Sequence, residues 1–421
     1  MSSTTTESPT FAPLPQPEPD LRPQDVIARA EAMIPMLRAQ QAEADERGHF
    51  SDEVLEAFRG AGFYRMLQPK LFGGYEFDSE TFFEVVYRIA AGHPSTAWCF
   101  CLSATHVAVV ASYFDEQGQR ELLGSGEYRS PHRAVPGGRL VPVEGGYRAT
   151  GTWAFSSGIP VSTHFMADGF VFDDENATEP SRVVTFVLPR EQITILDDWG
   201  HGKVLGMQGS GSNAVKVDDQ FVPSQWTTDH DILFGNTIDF SQGTPGTRLH
   251  GNPRYLGLFD PTYHMSFAAN MAGTARAAVD RLAEIMPSTK QILGAEKMAQ
   301  DPDALRALGE SAALADASHA VMVECARRID RLHARWGEDR QPITPSELFT
   351  LHSLARQSAL LGCRAVQLAF QSAGARAALS KDPMQRYLRD TEMYLIHASS
   401  QPFVNAGRGA AHFGAFTGKL G

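Results

Sequence analysis

The stretch from Asp303 to Trp336 limits the fold most. Leu305, Leu308, Ala312, Ala315, His319, Met322, Ala326 and Ile329 recur there at three- and four-residue steps, the period that lines side chains along one helix face. At 1.5 Å per residue such a helix runs about 50 Å, the length of a bundle helix. Ser346 to Leu379 predicts a second, residues 383 to 400 a third, and residues 262 to 286 a fourth. Helices of this kind bury their apolar stripes against one another. Residues 263–421 are therefore expected to form a four-helix bundle.

The earlier chain has other textures. Residues 1–24 contain six prolines and little apolar material, which predicts a disordered tail. Over 25–125 the spacing is helical. Ile27, Ala30, Ile34 and Leu37 make one stripe, with Pro35 as a source of bending. Ser51 before Asp52 and Glu53 is an N-cap signal, and Val54, Leu55 and Phe58 supply the face behind it. A further helix is expected from Pro94 through Trp98, His106 and Val110. Over 126–227 glycine and proline punctuate short apolar runs such as Tyr147–Phe155 and Val183–Leu188. Glu144-Gly145-Gly146 reads as a hairpin turn. This predicts an antiparallel β-barrel or sandwich. Residues 228–262 lack periodicity and read as a long loop over the site. The fold class is α+β, mainly α: N-terminal helices, a middle β domain, then the bundle.

Charge and cysteine content narrow the function. With 37 basic and 49 acidic residues the net charge is −12, which disfavours phosphate backbones and anionic lipid as partners. No apolar run of about 18 residues marks a membrane span, and the N-terminal stretch lacks the basic and apolar regions of a secretory signal. Cys99, Cys101, Cys325 and Cys363 make no disulfide framework. A cytoplasmic protein without nucleic-acid or membrane partners is expected.

Several strings are more specific. Pro69-Lys70-Leu71-Phe72-Gly73-Gly74-Tyr75, the run Gly151 to Gly158, Gly206-Met207-Gln208-Gly209-Ser210, Val217 to Pro223 and Arg386-Tyr387-Leu388-Arg389-Asp390 occur in that order. Together they resemble the signature segments of the acyl-CoA dehydrogenase superfamily, over about residues 25–415. That resemblance implies the same helical–β–bundle order and a homotetramer. Many of its dehydrogenases carry a glutamate base at the end of the last helix. Here the stretch is Ile396-His397-Ala398-Ser399-Ser400, and Ala398 cannot accept a proton.

The chain instead resembles the oxygenase components of two-component flavin-dependent monooxygenases. Their motif histidines and serine match His106, Ser157 and His397, with Trp98 as a candidate flavin wall. The resemblance implies reduced FMN or FADH2 arriving from a separate NAD(P)H-flavin reductase, with O2 as co-substrate. Through a C4a-hydroperoxyflavin, an aromatic small molecule, by preference a phenol, would be hydroxylated. Ser157 or Ser156 would hydrogen-bond near flavin N5, and Ser210 would contact flavin or its phosphate. His106 and His397 would orient substrate and take its proton, a contribution of about 10²–10⁴-fold. His132 would touch substrate. A flavoprotein dehydrogenase for acyl thioesters, or a family member without catalysis, are the alternatives.

Weaker signals add limits. Cys99-Phe100-Cys101 lacks a partner pair for a metal, and His201, His250 and His264 show no ligand spacing with carboxylates, so no metal is assigned. Arg389-Asp390 reads as an ion pair within the bundle. No G-x-G-x-x-G follows a strand, in keeping with flavin reduced elsewhere.

Overall fold

The computed structural model describes residues 12–231, 240–290 and 297–412. Helices precede the strands and longer helices follow them, the order the sequence predicts. In the first block Ser51 caps the Asp52–Gly60 helix by accepting from the Val54 amide at 3.3 Å, and Val54 and Phe58 are buried. Pro35 is accommodated inside the Pro23–Ala39 helix. The expected tail is ordered from residue 12 on. The Leu14 amide donates to the Leu71 carbonyl at 3.0 Å, and Leu21 is buried. Residues 1–11 lie outside the described part.

The helix expected from Pro94 to Val110 is two helices, Pro94–Ala104 and Val107–Tyr113, with His106 at the junction. The segment Pro94–Tyr113 has the length and composition of a membrane span, but 94% of it is buried inside the protein. It is a core element here. His106 keeps a right-handed backbone at this junction, φ −77° and ψ −7°, and its ring enters the site described below.

Among the described residues seven strands form one sheet, in the order β5-β6-β2-β1-β3-β4-β7. They are β1 (His132–Val143), β2 (Gly146–Trp153), β3 (His164–Val171), β4 (Arg182–Pro189), β5 (Thr194–Ile195), β6 (Val215–Pro223) and β7 (Thr227–Asp229). β1 and β3 pair in parallel, and the other pairs are antiparallel. The sheet is therefore mixed, where sequence patterning predicts purely antiparallel strands. The cause is the connection after Trp153, which crosses through the Ile159–Val161 turn and lays β3 on the far side of β1. Gly145, at φ 78°, makes the expected β1–β2 turn. Trp153, Phe165 and Phe186 fill the inner face, with ring centroids 5.5–6.3 Å apart.

The bundle comprises Phe259–Ile285, Pro302–Asp339, Pro345–Ala373 and Pro383–Leu395, followed by Phe403–His412. Asp301, Thr344 and Asp382 cap three of these helices. In Pro302–Asp339 the buried stripe runs through Ala304, Ser311, Ala315, Met322, Ala326 and Ile329, and Leu305 is 48% exposed. The stripe begins one residue before the predicted one. Close helix crossing needs small residues: a Cβ at Gly273 would lie 2.1 Å from the Tyr87 carbonyl.

The 228–262 segment is largely structured where it is described. It carries β7, the Pro245–His250 helix and the Pro253–Leu256 turn. Trp336 Nε1 donates to the Phe240 carbonyl at 2.9 Å and the Tyr255 hydroxyl to the Leu67 carbonyl at 3.2 Å. Buried anchors of this kind replace the periodicity the segment lacks.

Candidate active site

His106, at the helix junction, and His132, at the start of β1, come from distant stretches of chain and meet edge to face at 5.5 Å between ring centroids. Phe259, which opens the first bundle helix, packs on both at 5.8 and 5.4 Å. His106 Nδ1 lies 2.8 Å from the Ser130 carbonyl oxygen. An oxygen there only accepts, so Nδ1 carries the proton and Nε2 keeps its lone pair. Nε2 is buried and has no hydrogen-bond partner among the described residues. Burial, then the neighbouring His132, pushes the His106 pKa down to about 3. The ring is a neutral acceptor at physiological pH.

Behind His132 stands Asp168 of β3, fully buried. Its Oδ1 lies 2.9 Å from His132 Nε2 and accepts from Thr185 Oγ1 at 2.6 Å; its Oδ2 lies 2.8 Å from His230 Nδ1. Burial by itself would raise this carboxyl, but His132, His230 and Thr185 outweigh it and hold it below the usual range. For His230 burial is likewise outweighed, by Asp168, so its pKa is raised.

His397 approaches from the end of the bundle, two residues past the Pro383–Leu395 helix, as the cap of a short turn. Its Nδ1 accepts from the Ser399 amide at 3.1 Å, which leaves the proton on Nε2. Phe267, Trp98 and Tyr263 surround the ring at 4.7, 5.7 and 6.5 Å. Burial, then the charges of His264 and Arg133, lowers its pKa to about 4. Phe259, Tyr263 and Phe267 pack successively along one helix face. They form an aromatic strip bordered by His106 and His132 at one end and His397 at the other.

Beside the His397 end runs a chain of hydroxyls. Trp98 Nε1 donates to Ser157 Oγ at 3.3 Å; Ser157 Oγ is 2.7 Å from Ser212 Oγ, which is 2.7 Å from Ser210 Oγ. Ser156 is turned inward, its hydroxyl donating to the Trp153 carbonyl at 3.3 Å. Of the two candidate serines, Ser157 belongs to the hydroxyl chain. The loop carrying Ser210 and Ser212 is clasped by the last bundle helix. Asp390 accepts from the Met207 amide at 2.6 Å and Ser95 Oγ at 3.3 Å, and Arg389 Nη1 donates to the Leu205 carbonyl at 2.6 Å. Arg389 and Asp390 thus engage the loop rather than each other, which corrects the expected ion pair. Burial, then the Asp45 charge, raises the Asp390 pKa to about 7. Next to this loop, Phe155 is held at φ 59° with 62% of its surface exposed. An apolar surface beside a row of hydroxyls suits a flat heteroaromatic ring with a polar edge, so the residues present fit a flavin.

One pairing contradicts the sequence reading of metal ligands. His264 Nε2 lies 3.4 Å from Asp260, one helical turn earlier, and His352 Nδ1 lies 3.3 Å from the same carboxylate. These potential ligand atoms lie within 4.8 Å of one another. His201 also has a carboxylate nearby, Glu46 at 3.7 Å. Cys99 and Cys101 are buried and their pKa values pushed up by burial, which disfavours the thiolate a metal needs.

Sequence reasoning missed Asp168 and His230 as participants. A readable signal existed for Asp168, an acid inside the apolar run His164–Val171, where a polar residue at a core position asks for a partner. His230 follows β7 in an aperiodic stretch and gives none.

The family Acyl-CoA dehydrogenase, C-terminal domain, matches residues 265–402. A pigment production hydroxylase of Rhodococcus sp. (strain ATCC 21145) is 29% identical over 401 residues, covering 94% of this chain and 97% of that protein. The flavin-dependent monooxygenase oxygenase subunit HsaA of Rhodococcus jostii (strain RHA1) is 28% identical, covering 89% and 94%. The crystal structure of XiaF from Streptomyces sp., in complex with FADH2 and glycerol, superimposes with a TM-score of 0.84 at 22% identity, covering 93% and 96%. Over residues 265–402 the chain resembles the C-terminal domain of the acyl-CoA dehydrogenases, and in sequence across about nine-tenths of its length it resembles the oxygenase subunit of a flavin-dependent monooxygenase.

Proposed function

We propose that the protein is the oxygenase component of a two-component monooxygenase that uses reduced flavin and O2 to hydroxylate an aromatic small molecule. The observation that carries this reading is the aromatic strip of Phe259, Tyr263 and Phe267, bordered by His106, His132 and His397 and adjoining the Ser157–Ser212–Ser210 hydroxyl chain. Reduced flavin, when bound, supplies the electrons that activate oxygen. Ser157 hydrogen-bonds the polar edge of the ring system, with Trp98 as a wall. The strip receives the flat substrate and excludes water. His106 Nε2, the lone pair of a neutral ring, accepts a hydrogen bond from the phenolic O–H, and His397, whose Nε2 carries its proton, orients the substrate as a donor. Drawing the phenolic proton away enriches the ring carbons in electron density. Phenols are the substrate class this arrangement favours, and His132 is the third imidazole in contact with them.

A separate NAD(P)H-flavin reductase supplies FMNH2 or FADH2 in this reading, in a cytoplasmic homotetramer. Anaerobic titration with each reduced flavin, followed by rapid mixing with oxygen, tests it. Without substrate the flavin oxidises to give H2O2. With resorcinol or 4-hydroxyphenylacetate, hydroxylated product replaces part of the peroxide. Failure to bind either reduced flavin rejects the proposal.

A further inference from the structure

The oxygenase reading leaves unused a buried carboxylate with an imidazole on each side. Asp168 Oδ1 is 2.9 Å from His132 Nε2 and Asp168 Oδ2 is 2.8 Å from His230 Nδ1. The side chains of His132 and Asp168 are 0% exposed, whereas that of His230 is 19% exposed. The trio therefore runs from the aromatic strip to the protein surface. We propose that Asp168 is a counter-ion shared by His132 and His230, so that His132 takes the proton of a phenolic substrate as His230 releases one to solvent.

The charges favour the exchange. A buried carboxylate compensates one imidazolium; two would leave an uncompensated cation in a poorly solvated site. In the resting site His230, nearer solvent, is the cation on Asp168, and His132 donates its Nε2–H to the same carboxylate. When substrate binds, its O–H bond breaks and the proton bonds to His132 Nδ1. His230 then loses its Nε2 proton to water and keeps Nδ1–H on Asp168. The substrate is left a phenolate beside one imidazolium, with the total charge lowered by the one proton released. Asp168 is a positioning residue here, and Thr185, donating to Oδ1 at 2.6 Å, keeps the carboxylate oriented. Other titratable or charged groups bearing on the trio are His106 against His132, Arg133 beside Asp168, and Asp229 and Asp231 around His230. The two aspartates favour charge on His230 in the resting site.

This inference rests on the oxygenase reading only for the substrate class, so binding alone tests it. The probe is 4-nitrophenol, added to the full chain at a pH where the free compound is mostly un-ionised and its phenolate is visible by absorbance. Wild type is expected to bind it as phenolate. His230→Lys places a permanent cation on Asp168 and should cut the bound phenolate fraction about tenfold, because His132 can no longer be charged. His230→Gln leaves the carboxylate to His132 and should hold or raise that fraction. In an Asp168→Asn background the Lys and Gln variants should become alike. A merely structural role for position 230 would make Lys and Gln fall together. That result, equal ionisation in wild type and His230→Lys, or no ionisation in wild type overturns the proposal. Reduced-flavin binding by the same wild-type protein separates the two readings. Flavin bound without ionisation rejects the counter-ion alone, and ionisation without flavin binding rejects the oxygenase alone.

Discussion

Two carboxylates in this molecule each face two imidazoles, and they are held quite differently. Asp168 sits in a sheet, fully buried, with His132 and His230 at 2.9 and 2.8 Å. Asp260 starts a bundle helix with its side chain 42% exposed, and His264 and His352 stand off at 3.4 and 3.3 Å with their rings stacked 3.3 Å apart. Strand alternation and register give a side chain one direction. The parallel pairing of β1 with β3 thus brings His132 to hydrogen-bond distance of Asp168. The i,i+4 spacing of Asp260 and His264 only makes them neighbours, and solvent reaches the carboxylate. Equal residue content does not make equal electrostatic sites; burial and backbone geometry separate them.

Removing each carboxylate should expose the contrast most strongly. Asp168→Ala leaves buried partners uncompensated and is expected to cost about 3–5 kcal/mol of stability. Asp260→Ala, at a solvent-screened position, should cost no more than about 1 kcal/mol. Denaturant unfolding of both variants decides, and equal losses would break the comparison.

The catalytic side of the contrast is nearly as large. His106→Phe and His397→Phe should each lower the hydroxylation rate about 10²-fold, with reduced flavin diverted to peroxide. His352→Phe, outside the aromatic strip, should stay within about twofold of wild type. Product formed per flavin oxidised is the measurement, and an equal loss in His352→Phe would move the site toward the second cluster.

Opposite pH trends sharpen the comparison further. His230 has a raised pKa, so its contribution is complete below about 6.5 and fades as pH rises through the higher folded value. Asp168 has a lowered one, so its contribution holds above about 3.9 and is lost as pH falls through the folded value. For His264, burial outweighs Asp260 and lowers the pKa; the unfolded chain binds the proton first, and stability falls below about pH 6.5. The melting-temperature deficit of His230→Gln should therefore shrink from about pH 6 to pH 9. That of His264→Gln should shrink from about pH 8 to pH 5. Parallel trends would show that the clusters share one electrostatic character.

The smallest effect is expected where neither burial nor register operates. Arg148 and Asp219 pair on the exposed side of β2 and β6 with 44% and 62% of their side chains exposed. Arg148→Ala should change stability by no more than about 1 kcal/mol, and by less in high salt.

Local signals made much of this protein readable from its sequence. Helical spacing located the bundle, Ser51 marked a helix start, and the glycines at 145 and 146 marked a hairpin, because propensity and periodicity act within a few residues. His106, His397, Ser157 and Trp98 stood out through their motifs, and the structure brings Trp98 into contact with both Ser157 and His397. What remained hidden depends on residues far apart in the chain. The break before Val107, the parallel β1–β3 pairing, and the meeting of Asp168 with His132 and His230 across 36 and 62 positions arise only when separate elements pack. Burial then gives these groups their chemistry: the same imidazole is a neutral acceptor beside Phe259 and a candidate cation beside Asp168. Sequence specified which groups were present and which face of each element they occupied; tertiary packing decided their distances and their access to water, on which protonation depends.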